Sequence, residues 1–144
     1  MFSKACEYGI KATIYIAVRS NEDKRVSLKG IANHIDSPEA FTAKILQMLA
    51  RENIILSVRG INGGFEIEKS RLEHIKLADI VKAIDGDNIY KGCGLGLSEC
   101  NELHPCPVHF EFKKVRDDLR ELLETTNLKS LAMDVSSGVS FLRI

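Results

Sequence analysis

The segment Gly60-Ile61-Asn62-Gly63-Gly64 gathers three of the chain's ten glycines into five residues. Before it, Leu56 and Val58 alternate with polar neighbours; after it, Phe65 and Ile67 do the same. Two short alternating runs joined by glycines predict a two-stranded hairpin with a glycine-rich tip. The segments around it read as helices, so the expected fold class is mainly α with a small β wing.

Three helical segments precede the hairpin. Ser3 is a plausible N-cap for residues 4–19, where Ala5, Tyr8, Ala12 and Tyr15 form one stripe and Ile10, Ile14 and Val18 lie beside it. Ser27 is placed to cap a short helix with Leu28, Ile31, Ala32 and Ile35 on one face. Ser37-Pro38-Glu39 then reads as a hydroxyl cap, a first-position proline and a first-turn carboxylate. Phe41, Ile45, Met48 and Leu49 follow at amphipathic spacing to near Asn53. Helix, helix-turn-helix, hairpin is the order of a winged helix-turn-helix domain.

Beyond the hairpin, Leu77, Ile80, Val81 and Ile84 make a further helix closed by Asp85-Gly86. Residues 86–107 carry no apolar period. After Pro107, the residues Val108, Phe112, Val115, Leu119 and Leu122 repeat at spacings of 4, 3, 4 and 3, a coiled-coil-like seam. One short helix is expected in the tail. The domain reading is therefore 1–86 for the winged DNA-binding unit, 87–107 for a cysteine-rich cluster-binding loop, and 108–144 for a dimerisation helix and tail.

Composition sets the class. With 144 residues, 44% hydrophobic and 28% charged, the chain reads as one ordinary globular domain. No apolar run reaches the ~20 residues of a membrane helix and no signal-peptide core follows Met1, so a cytoplasmic protein is expected. Net charge is zero, but residues 1–60 hold nine Lys and Arg against six Asp and Glu, whereas the remainder is net acidic. A nucleic-acid partner is therefore expected on the first sixty residues. The sequence has no P-loop, no H-E-x-x-H and no locally supported nucleophile and base, so it does not read as an enzyme.

In a winged domain the second helix of the turn motif enters the major groove of double-stranded DNA, and the wing touches backbone or minor groove. Glu39, Ala40, Thr42, Ala43, Lys44 and Gln47 are expected to face outward, with Thr42 and Gln47 able to read base edges and Lys44 suited to phosphate. Arg59 precedes the wing tip, where a guanidinium could enter a narrow minor groove. Ser27, Lys29 and Asn62 complete the expected DNA-binding set.

Cys93, Cys100, Cys106 and His109 fall within seventeen residues as C-x6-C-x5-C-x2-H. Thiolates suit iron–sulfur clusters and zinc, and imidazole can complete either set. Structural zinc sites usually pair their cysteines two to four residues apart, which this spacing lacks, so the lean is towards iron–sulfur. Pro107 at a first helical position would put Cys106 and His109 on one face. Cys6, on a short apolar stripe, reads as a core residue. His34 and His104 read as solvated.

Together these segments resemble the Rrf-two family of bacterial winged-helix transcriptional regulators, with its IscR-, NsrR- and CymR-like members. The matching text is Tyr8-Gly9, Ser27-Leu28-Lys29-Gly30-Ile31-Ala32, Val58-Arg59-Gly60-Ile61-Asn62-Gly63-Gly64-Phe65 and Asp79-Ile80-Val81-Lys82-Ala83-Ile84-Asp85-Gly86. The resemblance implies a homodimer on a palindromic operator, with C-terminal helices crossing at the interface. In IscR-like members three cysteines and a following histidine hold a [2Fe-2S] cluster, which places those roles on Cys93, Cys100, Cys106 and His109. The first two cysteines are one residue farther apart than in that pattern. Glu7 falls where NsrR-like members carry an acidic ligand from the partner subunit's first helix, so a [4Fe-4S] cluster with Glu7 in place of His109 stays open. Thr42 stands where IscR-like members carry an operator-reading glutamate.

The functional expectation is a DNA-binding regulator that senses cluster status, nitric oxide or redox state. The alternatives are a regulator with a structural zinc and one controlled by a partner protein without a functional cluster.

Overall fold

The computed structural model describes residues 1–144. Seven helices and one small sheet follow in the order α1 (Lys4–Asn21), α2 (Leu28–Ile35), α3 (Glu39–Arg51), β1 (Leu56–Val58), β2 (Gly64–Glu66), α4 (Leu77–Asp85), α5 (Asn88–Lys91), α6 (His109–Thr125) and α7 (Leu128–Ser136), with one 3₁₀ turn at Lys69–Arg71 before α4. The winged-helix order expected from the sequence is present.

Local chemistry explains most of the boundaries. Ser3 caps α1 by accepting from the Cys6 amide at 3.0 Å, and Ser27 caps α2 by accepting from Gly30 at 3.0 Å. Asp36 ends α2 in the left-handed conformation at φ 54°. The start of α3 departs from expectation. Pro38 occupies the cap position with extended backbone, and no side chain caps the helix. The Ser37 hydroxyl bonds the Thr42 hydroxyl instead. At α4, Asp79 accepts from the Lys76 amide at 2.8 Å, and Gly86 closes the helix at φ 75°.

The wing is antiparallel, with Leu56 opposite Glu66, Ser57 opposite Phe65 and Val58 opposite Gly64. Val26, just before α2, extends it: the Val26 amide donates to the Phe65 carbonyl at 3.1 Å, and the Phe65 amide returns a bond at 2.8 Å. This close approach requires Gly64, whose φ is +140° and whose added Cβ would lie 2.7 Å from the Val26 carbonyl oxygen. Ile54 and Ile55, rather than Leu56, bury the hairpin's root.

The main core forms around α1. Ile16, Ile31, Ile35, Ile45, Leu46, Leu49, Ile55, Leu72 and Ile80 are fully buried within it. Leu128 and Ala132 of α7 belong to the same core. Within 108–144, α6 packs against α4 and α5, and α7 returns to the core around α1. The corner between them is stitched to the start of α4, with the Leu77 amide donating to the Thr126 carbonyl at 3.0 Å and the Leu128 amide to the Ile75 carbonyl at 2.9 Å. A second, smaller core of Cys6, Val81, Tyr90 and Leu123 joins α1, α4, α5 and α6.

Candidate nucleic-acid interface and cysteine site

The outer face of α3 carries Glu39, Ala40, Lys44 and Gln47 in the open, with Ala43 half-buried. Thr42 does not join them. It is 1% exposed, and its hydroxyl donates to the Pro38 carbonyl at 2.8 Å besides meeting Ser37. The outward placement expected for Thr42 is therefore corrected: helical phase puts it beside Ile45 and Leu46 on the buried face, and its polar group is satisfied locally. Phe41 lies at the boundary, 36% exposed, with its ring edge-on to Tyr8 at 5.8 Å.

Lys29 is exposed on α2, and Ser27 is exposed although its hydroxyl is committed to the cap. Arg59 and Asn62 are exposed at the wing tip. Sequence reading missed Arg25. Its guanidinium pairs with Glu66 at 3.0 Å and donates to the Asn62 carbonyl at 3.1 Å, bracing the wing against the α1–α2 turn. The signal for it was a cation directly before Val26, the residue that pairs with the hairpin.

The cysteine loop is anchored at its start and again at Cys100. Tyr90 on α5 is buried in the small core, and the Arg120 guanidinium stacks over its ring at 5.4 Å while donating to its carbonyl at 3.2 Å. Gly94 lies under the Phe112 ring, so close that a Cβ there would come within 2.6 Å of it. The Arg116 guanidinium donates to the carbonyls of Lys91 and Gly92 and to the Cys100 sulfur at 3.1 Å. Arg116 was also missed. The available signal was the sevenfold spacing of His109, Arg116 and Leu123, which puts all three on one stripe of α6.

Of the four expected ligands, the structure brings Cys100 and His109 into contact. Cys100 Sγ lies 3.4 Å from His109 Nδ1. The Cys93 sulfur accepts from the Leu95 amide at 3.4 Å, and its thiol is held below the ordinary value, first by the backbone N–H of Leu95, then by that of Leu97, with Cys106 a lesser cause. Pro107 lies outside the helix, which begins at His109, so Cys106 precedes α6 and does not share a helical face with His109. No three His, Cys, Asp or Glu side chains converge in a metal-holding arrangement.

The donor types nonetheless fit an iron–sulfur cluster, and one observation points the same way. His109 is 3% exposed, and its Nε2 is buried without a hydrogen-bond partner. A buried ring nitrogen left in that state is costly, so it marks a group that could be satisfied by a further ligand. A cavity of about 230 Å³ opens beside the Cys100–His109 pair, lined in part by Tyr90, Lys113 and Arg116. Glu7 is exposed on α1 and pairs with Lys4 at 3.1 Å. Cys6 is fully buried, its thiol pushed up to about 12, chiefly by burial and then by Asp85. His34 is exposed yet lies flat against Tyr15, and His104 is exposed. No helix is long and apolar enough to cross a membrane.

Comparisons with known proteins agree with this fold. The Rrf2 family model, described as an iron-dependent transcriptional regulator, matches residues 2–134. A protein of Aquifex aeolicus described as an HTH-type transcriptional regulator is 29% identical over 133 residues, covering 91% of this chain and 90% of the relative. CymR (YrzC), the global cysteine regulator of B. subtilis, is 25% identical, with a TM-score of 0.75 over 92% of this chain and 96% of its own. IscR of T. potens superimposes with a TM-score of 0.73 at 22% identity, covering 97% of this chain and 91% of its own, a likeness of fold. A recognition helix, a braced wing and a family match over nearly the whole length lead to one conclusion: the chain is a DNA-binding transcriptional regulator, not an enzyme, and belongs to the Rrf2 (Rrf-two) family.

Proposed function

We propose that this regulator works as a homodimer on a palindromic operator, and that an iron–sulfur cluster held by Cys93, Cys100, Cys106 and His109 alters its grip on DNA. The observation that carries the reading is the Cys100–His109 juxtaposition, with the buried His109 Nε2 left unpartnered at the first turn of α6. When bound, the cluster supplies a redox-active iron centre that can lose iron or react with oxygen or nitric oxide. The family description as iron-dependent supports the same reading.

The chain's own residues provide the route from the loop to the DNA face. Tyr90 and Leu123 share a small core with Cys6 of α1 and Val81 of α4, so reordering of the loop shifts α6 against the helices that carry α3. Val115 and Leu122 point outward from α6, 62% and 52% exposed, and form with Phe112 an apolar stripe suited to a second copy. Recognition helices of a dimer must sit about one DNA turn apart, ~34 Å, so small movements at that stripe change affinity. Lys44 is suited to phosphate, Gln47 to base edges and Arg59 to the minor groove.

The contact of Cys100 with His109, on which no third ligand converges, favours a second reading, in which the loop holds a structural zinc or no metal and the signal comes from a partner protein. Anaerobic purification with iron, sulfide and zinc analysis separates the two. The first expects red-brown protein and an operator affinity that differs between holo protein, apo protein and Cys100→Ala by roughly tenfold or more. Colourless protein with stoichiometric zinc, or three superimposable titrations at one salt concentration, sinks it.

A further inference from the structure

We propose that Arg116 is the positioning residue of the cysteine site: it fixes Cys100 against His109 and supplies the positive charge that balances the ligating sulfur. The proposal rests on the cluster reading for its electrostatic half and on the fold alone for its structural half.

One side chain grips the loop at three points. Its Nη1 donates to the carbonyls of Lys91 and Gly92, and its Nη2 to the Cys100 sulfur at 3.1 Å. The first two acceptors follow the small-core anchor Tyr90, and the third is a ligand candidate eight residues further on. Both ends of the Gly92–Cys100 span are thus tied to one residue of α6. Arg116 is half-buried, and its Nε is buried without a partner, so the guanidinium is held by the bonds of its two terminal nitrogens. A planar fork with fixed donor directions can serve a carbonyl pair and a sulfur at once; a lysine ammonium on a flexible stem cannot.

The same contact has an electronic consequence. A cationic donor on a ligating sulfur stabilises added negative charge, so it raises the reduction potential of a cluster bound there. Arg120, one turn on, bonds the Tyr90 carbonyl and does not reach a cysteine in this arrangement. The two arginines therefore divide the work: Arg120 holds α5, and Arg116 holds the site.

Two variants and two readouts test this. Hydrogen exchange on the cluster-free full chain follows the Gly92 and Gly96 amides, which are bonded to the carbonyls of Asn88 and Cys93. Potentiometric titration on the reconstituted protein follows the visible spectrum, with far-UV circular dichroism as the folding control. Arg116→Gln is expected to speed exchange at both amides by roughly tenfold, the loss of a charge-assisted bond, and to move the midpoint potential to more negative values. Arg116→Lys is expected to restore most of the potential but not the protection. Wild-type exchange and wild-type potential in Arg116→Gln overturn the proposal. If wild-type protein assembles no cluster, the cluster reading fails separately, and exchange alone decides: unchanged protection in Arg116→Gln overturns the clasp. Should Arg116→Gln not fold, Arg116→Lys is scored in its place, and unchanged protection there overturns the clasp.

Discussion

The His34 ring lies flat on the Tyr15 ring, with centroids 3.8 Å apart and planes 8° from parallel. Partial desolvation of the ring, then the charges of Arg143 and Arg19, hold the imidazole below its ordinary value. The folded state therefore prefers the neutral ring, and between the folded and unfolded values the unfolded chain binds more protons. This contribution to stability is complete above about pH 6.5 and is lost as pH falls through the depressed folded value. The melting temperature of wild type should fall more steeply than that of His34→Gln between about pH 7 and 5. Parallel curves would show that the stack has no energetic link to protonation.

Thr42 sits at an internal position of the recognition helix, with its hydroxyl shared between Ser37 and Pro38. Thr42→Val keeps the shape, removes the hydroxyl and leaves Ser37 without this partner, at a cost of about 1 kcal/mol. Urea unfolding should register that loss. Operator preference, selected from random DNA, should stay as in wild type. A changed consensus would mean that Thr42 reaches bases in the bound state.

On the DNA face, Lys44→Ala should weaken binding to all sequences alike and flatten the salt dependence by about one unit of slope. Arg59→Ala should instead cost most on sites with an A/T-rich, narrow minor groove. Fluorescence anisotropy over a salt series distinguishes the two. Indistinguishable salt slopes for Lys44→Ala and wild type would remove Lys44 from the phosphate contacts.

The outward stripe of α6 should hold the dimer together. Leu119 is half-buried against the small core, so the informative substitutions are at Val115 and Leu122, which face away from it. Val115→Asp with Leu122→Asp should sediment as a folded monomer and lose cooperative operator binding. Should the double variant sediment as wild type does, the interface lies elsewhere.

Cys6 should resist alkylation. It is fully buried with its thiol pushed up to about 12, whereas Cys93, Cys100 and Cys106 are half-buried. Iodoacetamide at neutral pH should label the loop cysteines of cluster-free native protein and leave Cys6 unmodified until denaturant is added. Labelling of Cys6 at the loop rate would show that the small core opens readily.

Much of this arrangement is legible in the sequence because it is local. Ser3, Ser27 and Gly86 mark helix ends through short-range bonds, and the glycines at 60, 63 and 64 leave a turn as the natural outcome. The start of α3 misleads because Ser37 has two uses, capping a helix or bonding Thr42, and composition does not rank them. Phase decides the fate of Thr42, and an error of one position in the helix start moves a residue by about 100° around the axis. The roles of Arg25 and Arg116 depend on partners 41 and 16 residues away, which no local pattern specifies. The meeting of Cys100 with His109 is likewise set by where the loop is tied, not by spacing.

The return of α7 to α1 has a consequence for synthesis. Leu128 and Ala132 complete a core that begins with Ala12 and Ile16, more than a hundred residues earlier in the chain. A nascent chain that has made its whole DNA-binding segment still presents an unfilled apolar face along its first helix. Most of that face is covered by residues made before α7, and the last part is covered only when Leu128 and Ala132 arrive, so the final tightening of the DNA-binding unit waits on the chain's last helix.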